Sequence, residues 1–228
     1  MTALLWTELR LLTRGGFWLA YAVVGAGYLA ILHALPASLA KGLLPVLVFS
    51  DPAVLGLFVV GSMVLLERRE GALQALAHTP TPAATWIGAK VLAITGLASI
   101  VAGVVAAGSG QLVRPDLLVL AVVPTSILTV LVGIAIVSRT STFNRFIAWV
   151  SLITTPLALP AVELLLNAEW TWIRWLPTGG TAELLRGAFG ASLSPGVVLR
   201  DVVGLVVACV GAAFWADAWT RRYLWRRA

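Results

Sequence analysis

Charge is scarce in this chain, at 11% of 228 residues, and metal-binding side chains are scarcer: Cys209, His33 and His78 are its only cysteine and histidines. No set of side chains can therefore hold zinc, haem or an iron–sulfur cluster unaided, and a lone cysteine builds no disulfide scaffold. The only lysines are Lys41, followed by Gly42, and Lys90, followed by Val91. The lysine–hydroxyl step that closes a phosphate-binding G-x-x-x-x-G-K-[ST] loop is missing, so ATP is not expected to bind here through such a loop. What is abundant is apolar: 60% of the residues by the AVILMFWYC count, with a mean hydropathy of +0.95. Soluble domains run at roughly 45–50% apolar and about 25% charged. Composition thus excludes a soluble enzyme, a disordered tail and a disulfide-stapled domain, and indicates an integral membrane protein. The net charge of +6 would suggest nucleic acid in a soluble protein. In a membrane protein it asks where the arginines sit, and no nucleic-acid partner is expected.

A spanning helix needs about 20 predominantly apolar residues. Charge-free runs place six spans near 17–35, 46–66, 86–107, 117–138, 146–165 and 197–219. Lysine and arginine in the loops set the orientation. With the N-terminus inside, Arg10, Arg14, Arg68, Arg69, Lys90, Arg139, Arg145, Arg221, Arg222, Arg226 and Arg227 fall on the cytoplasmic side, eleven of the sixteen basic residues. Lys41, Arg114, Arg174, Arg186 and Arg200 fall outside. Both termini are expected in the cytoplasm. Trp6, Trp18, Trp86, Trp149, Trp215 and Trp219 then lie near the inner interface, as an aromatic belt does. The first apolar run exceeds a signal peptide's 7–15-residue core and five spans follow it, so it reads as a retained helix. Before it, Thr2–Arg14 carries Leu4, Leu5, Leu9 and Leu12 at roughly helical spacing among Glu8, Arg10 and Arg14. This reads as a helix lying in the interface plane or as a plain N-terminal flank.

Candidates for chemistry are few. An intramembrane protease needs paired aspartates at one depth or a serine beside a histidine. Asp51, Asp116, Asp201 and Asp217 lie at helix ends on no common level, and Ser109 has only His33 as a remote partner. No catalytic or metal site is expected. Asp51 has two readings. Ser50-Asp51-Pro52 is a helix start with Asp as N-cap and Pro at the first helical position; a carboxylate at membrane depth also marks a pathway. Pro124 in span four and Pro156 and Pro160 in span five favour kinks, with Thr154 and Thr155 placed to satisfy freed carbonyls. Gly204, Ala208, Ala212 and Ala216 on span six, and Ser99, Gly103 and Ala107 on span three, are small-residue seams read as packing within the chain.

Two loops exceed what topology requires. Residues 67–85 open with Glu67-Arg68-Arg69-Glu70, continue with Gly71, Leu73, Leu76 and Ala77 at helical spacing, and stop at Thr79-Pro80 and Pro82. This predicts a short amphipathic helix on the cytoplasmic face, presenting Leu73 and Leu76 to a partner with the charges at the rim. Residues 167–196 hold Trp170, Trp172 and Trp175, then Leu176-Pro177 and a short helix capped by Thr181 that carries Glu183 and Arg186 and ends near Gly187 or Gly190. The tryptophans favour a dip back into the outer interface. No internal repeat is visible, which argues against an inverted-repeat secondary transporter.

Together these features resemble the permease subunits of type-2 ATP-binding-cassette (ABC) exporters. The likeness rests on Glu67-Arg68, Gly71, Leu73, Leu76, Thr79-Pro80 and Lys90 for a coupling segment, and on Leu176-Pro177 and Leu185-Arg186-Gly187 for an outer hairpin. From Ser50-Asp51-Pro52 through Gly61 to Lys90 the chain is most similar to short actinobacterial fluoroquinolone-export permeases. The resemblance implies an all-α, six-span single domain over 1–228 with both termini inside. It further implies an elbow helix over 1–14, a coupling loop over 67–85 and a re-entrant outer hairpin over 167–196. It also implies a dimer of permeases, identical or sister chains, and a separate ATPase subunit carrying ATP and Mg, so that no cofactor sits on this chain. Asp51, Thr154, Thr155 and Pro156 would lie near the substrate route, and membrane lipid surrounds the whole. The expected function is export of a hydrophobic or amphipathic drug-like substrate, haem and lipid remaining open as cargo; a self-contained secondary transporter or channel is the alternative.

Overall fold

The computed structural model describes residues 2–51, 53, 56–166, 168 and 170–225. Pro52, expected at the first helical position of span two, Asn167 at the start of the outer segment, and Arg226 and Arg227 lie outside the described residues. All regular structure among the described residues is helical. In chain order the helices are α1 (Thr2–Arg14), α2 (Phe17–Ala34), α3 (Ala37–Ser50), α4 (Gly56–Arg69), α5 (Ala72–Ala77), α6 (Ala83–Gly108), α7 (Pro115–Arg139), α8 (Phe143–Leu166), α9 (Gly179–Ala188) and α10 (Pro195–Tyr223). A 3-10 turn over Thr171–Trp175 separates α8 from α9.

Five of these helices, α2, α6, α7, α8 and α10, are long and apolar enough to cross a membrane. They match the expected spans to within a few residues at each end, because an uninterrupted apolar run is a strong signal at that length. The span expected at 46–66 is different. Helix begins nine residues earlier, directly after Pro36, and the segment consists of α3 and α4 with an interruption of the α-helix beginning at Asp51, where the backbone of Asp51 and Ala53 is π-helical. Pro45 is absorbed inside α3. The start was misplaced because Lys41 and Gly42 read as a loop, whereas helical structure runs straight through them.

Helix α7 is the axis of the bundle. It is buried from Leu117 to Ser138 along most of its length, with α4, α6, α9 and α10 packed around it. Glycine sets the closest approaches. A Cβ on Gly133 would stand 2.5 Å from Val60 Cγ1 and 3.2 Å from the Leu57 carbonyl, and one on Gly61 would enter the Phe146 ring. These absences of side chain let α4 lie against both α7 and α8. Without a hydrophobic driving force between helices in lipid, such close packing is what holds them together. The α10 seam closes only in part: Ala212 and Ala216 are buried, Ala208 is half-buried and Gly204 is exposed. On α6 the expected row is off by one position, since Ala107 is exposed and the buried small residues are Ala98, Ala102 and Ala106. Leu19 and Val23 on α2, and Val207 and Phe214 on α10, point outward.

The two ends of the bundle differ. At the end holding both termini, Trp86 meets Trp225 with ring centroids 5.6 Å apart and the hydroxyls of Ser138 and Thr220 lie 3.3 Å apart. Helix α1 docks here along α6 and α2, burying Glu8 and Leu12, and Gly16, at φ 72, turns the chain into α2. The N-terminal segment is therefore helical and packed, not a loose flank. At the far end the N–H groups of Val113 and Arg114 both donate to the Ala188 carbonyl at 3.0 Å, tying the α6–α7 loop to α9.

Candidate functional site

The terminal end concentrates buried charge. Lys90 stands in the second turn of α6, is fully buried, and donates to Glu8 Oε2 at 2.8 Å and to Glu67 Oε1. The Trp86 ring lies 5.1 Å from its ammonium, an arrangement that favours a desolvated cation. One lysine thus joins the N-terminal helix α1, the last turn of α4 and the start of α6. Burial raises the Glu8 carboxyl above its ordinary range, with Lys90 opposing the shift and Glu67 adding to it. Arg68, the next residue along, points the other way and donates to the Thr140, Val137 and Ser138 carbonyls at the C-terminus of α7. They lie where the intrahelical donors of α7 run out, the Val137 carbonyl accepting also from the Thr140 N–H at 3.2 Å, and a guanidinium fork suits them.

The expected coupling segment is therefore turned partly inward. Glu67 is buried and Arg68 partly so, while Arg69 and Glu70 are exposed. Gly71, at φ 73, makes the sharp turn from α4 into α5. Helix α5 forms as the leucine spacing predicted, but its apolar face has an internal use: Leu73 is 6% exposed within the chain's own core, and Leu76 packs against the same core. The expectation that Leu73 faces a partner is corrected on this point, whereas Leu76 is half-buried. The outward face of the segment consists of Ala72, Gln74, Ala75 and His78, running on to Thr79 and Pro80. The Thr79 hydroxyl donates to the Leu76 carbonyl at 2.6 Å, closing the helix before Pro80.

The interruption at Asp51 is the second feature. Asp51 is 1% exposed and follows α3 with φ −63 and ψ −60. Those are helical angles, not the extended ones of an N-cap, and neither carboxylate oxygen has a hydrogen-bond partner among the described residues. The capping reading is corrected: Asp51 is a buried, unpartnered carboxyl about 15 Å along the helix from Lys41, near the middle of the bundle. The neighbouring polar groups come from α2, where the Tyr28 hydroxyl lies 3.0 Å from that of Ser50 and the buried Tyr21 hydroxyl lies within electrostatic reach of Asp51. Helices α3 and α8 pack together, yet the four expected route residues do not share one environment. Thr154 is half-buried with its hydroxyl unpartnered, and Thr155 and Pro156 are exposed. The Thr155 hydroxyl donates to the Ser151 carbonyl at 2.8 Å, not to the Leu152 carbonyl that Pro156 leaves free.

The far end carries the hairpin. Helix α9 starts at Gly179, two residues before the expected cap; Thr178 holds the N-cap position and spends its hydroxyl on the Leu157 carbonyl at 2.7 Å. Thr181 instead meets Thr125 of α7, oxygen to oxygen at 2.6 Å. Glu183 pairs with Arg174 at 3.1 Å, and Arg186 reaches Glu163 at 3.7 Å and the Ala168 carbonyl at 2.8 Å. Trp175 is 91% exposed and Pro177 is exposed beside it, as an element meeting an interface would be. Glu8, on the N-terminal helix, and Lys90, at the entry to span three, are both read from the sequence, but their pairing across 82 positions is not. Glu8 is the lone acid of α1 and Lys90 one of two lysines in the chain, a scarcity that could have marked them as partners.

The family described as the fluoroquinolones export permease protein family matches residues 1–228 of the chain. Two curated proteins of Mycobacterium tuberculosis, each named a fluoroquinolones export permease protein and coming from strains CDC 1551 and H37Rv, are both 31% identical over 228 residues. In each case the match covers 96% of this chain and 94% of the relative. No solved structure matches.

Proposed function

Since the chain belongs to the fluoroquinolones export permease protein family and is a multi-pass protein of the cell membrane, we propose that it is the permease subunit of an ABC exporter. It moves a hydrophobic or amphipathic, drug-like substrate outward, and a separate ATPase subunit carrying ATP and Mg drives it. The match over the whole chain carries this reading, and helix α5, held on the terminal end by Gly71 and the Glu67–Lys90–Glu8 cluster, supports it. In this reading α3 and α4 together make one interrupted crossing, giving six, with both termini and α5 in the cytoplasm. Helix α1 is the interfacial elbow, the 3-10 turn and α9 are the outer re-entrant hairpin, and two permease chains pair. The route passes near Asp51, Thr154, Thr155 and Pro156.

Docking of the ATPase falls to the outward face of 69–80. Ala75→Trp adds bulk at an exposed helical position and is expected to strip a co-purifying ATPase from a folded, inserted chain. Leu73→Asp buries a charge in the core and is expected to cost folding itself. An Ala75→Trp complex that retains its ATPase and substrate-stimulated hydrolysis contradicts this docking face.

One observation favours a second reading, a carrier driven by an ion gradient: the unpartnered carboxyl of Asp51 at mid-bundle. Asp51→Asn in proteoliposomes separates the two. Uphill transport without any ATPase, abolished by Asn in a folded protein, selects the carrier.

A further inference from the structure

At the far end of the bundle a cavity of about 550 Å³ opens between the 3-10 turn, the start of α9 and α10. Its charged residues sit together: Arg174 on the turn, with Arg200 and Asp201 in the second turn of α10. From there the wall descends α10 through Gly204 to Val207 and Ala208, and Arg200 to Ala208 is about 12 Å along the helix. The cavity is therefore polar at its mouth and apolar toward the middle of the bundle. The charges at the mouth balance, since Arg174 pairs with Glu183 at 3.1 Å and Arg200 with Asp201 at 2.7 Å. Both guanidinium groups are partly exposed, and each carries five N–H donors, more than its pair uses. Asp201 is 6% exposed; its Oδ1 accepts from Arg200, while its Oδ2 has no hydrogen-bond partner among the described residues. A Cβ on Gly180 would stand 2.8 Å from that of Asp201, so the glycine lets α9 close on α10 and seats this carboxylate in the cavity wall.

We propose that this cavity binds a zwitterionic phospholipid with a primary ammonium, of the phosphatidylethanolamine type, from the leaflet at the far end. The ammonium donates to Asp201 Oδ2, the phosphate accepts from Arg174 and Arg200, and an acyl chain runs down α10 past Gly204 and Val207. The four charges, Arg174, Glu183, Arg200 and Asp201, sum to zero, so the mouth has no excess charge to draw an anionic lipid and offers both signs, as a zwitterion does. A buried carboxylate oxygen left unmatched is costly and calls for an N–H, which ethanolammonium has and the trimethylammonium of choline lacks. Position identifies the source as lipid. The cavity opens on the face of α10 where Leu199, Val203 and Val207 point outward, and Trp175, 91% exposed, stands at its rim, as tryptophans do at headgroup level. A soluble zwitterion would fill the charged mouth and leave the apolar reach along Val207 and Ala208 empty. The inference requires that α10 cross the membrane, and it is independent of what drives transport.

Native mass spectrometry of the purified chain tests this, titrating phosphatidylethanolamine, phosphatidylcholine and phosphatidylglycerol with identical acyl chains. Phosphatidylethanolamine is expected to be retained roughly tenfold better than phosphatidylcholine, the worth of one hydrogen bond to a charged group, and better than phosphatidylglycerol. Asp201→Asn should erase the difference between the first two. Gly204→Leu, at a position where an added Cβ meets nothing within 4 Å, fills the cavity without touching its charges. It should lower phosphatidylethanolamine retention several-fold, which keeps the test decisive should Asp201→Asn fold poorly. Gly211→Leu, equally open and on α10 outside the cavity, should retain the lipid. Equal retention of phosphatidylethanolamine and phosphatidylcholine, a preference for phosphatidylglycerol, or full retention in Gly204→Leu would each overturn the proposal. So would displacement of the lipid by millimolar phosphoethanolamine, which would mark a site for the soluble headgroup alone.

Discussion

Lys90 is the residue on which the terminal end turns. With two carboxylates on one buried ammonium, removing the lysine leaves Glu8 and Glu67 facing each other uncompensated. Lys90→Met is expected to cost about 3–5 kcal/mol, read as lost thermal stability in detergent. Glu8→Gln should be far milder, because the Lys90–Glu67 pair survives. The raised Glu8 pKa also sets a pH dependence. A group whose folded value lies above its unfolded one contributes stability that is complete below the ordinary glutamate range and is lost as pH rises through the folded value. Thermal stability should therefore decline as pH rises through mild acid, and Glu8→Gln should flatten that slope; an unchanged slope would mean another group titrates. Asp51 makes the opposite case, since it has no partner to lose. Asp51→Asn removes a buried unpaired charge and should leave stability equal or higher. If Asp51 lines the route, export of cationic amphipaths should fall more than that of neutral ones, and equal effects on both would take Asp51 off the route.

At the scale of elements, legibility followed the range of the interactions. The five long helices could be read because hydropathy is local. The α3–α4 interruption could not, because a proline in an apolar run gives the same local signal whether or not helix continues through it, and Pro45 lies inside α3. Helix α5 was legible in its position and its apolar spacing, but not in the direction it faces. Its leucines turn inward because the segment folds back at Gly71 onto its own bundle. Glu67 and Arg68 read as rim charges since their partners lie 23 and 69 to 72 positions away, at Lys90 and at Val137–Thr140. The role of Gly61 was equally hidden: a glycine in an apolar run looks dispensable until Phe146 is placed over it. Gly61→Ala drives a methyl into that ring and should cost about 1–3 kcal/mol by overpacking, with α4 and α8 pushed apart. Gly96→Ala, which meets nothing within 4 Å, is the matched control and should be neutral. Equal melting temperatures for the two variants would contradict the packing described.

At the scale of the whole molecule, one rigid axis, α7, carries a charged cluster at one end and a hairpin network at the other. At the terminal end Lys90 joins α1, α4 and α6, and Arg68 ties α4 to the end of α7, so α5, which packs on α4, rests on a helix bound to three others. The far end ties α9 to α7 and α8 through Thr181, Thr178 and Arg186. Between them lies Asp51, where the α-helix gives way to π-helical backbone. That arrangement suits a permease whose energy arrives at one face while its cargo leaves at the other. The central claim is that this energy comes from a separate ATPase. It is tested most directly by purifying the tagged chain with whatever binds it, reconstituting it in vesicles and measuring substrate accumulation with and without ATP. The account predicts a co-purifying ABC ATPase and accumulation that needs ATP. Uphill transport by the chain alone, driven by a proton or ion gradient with no ATPase present, would contradict it.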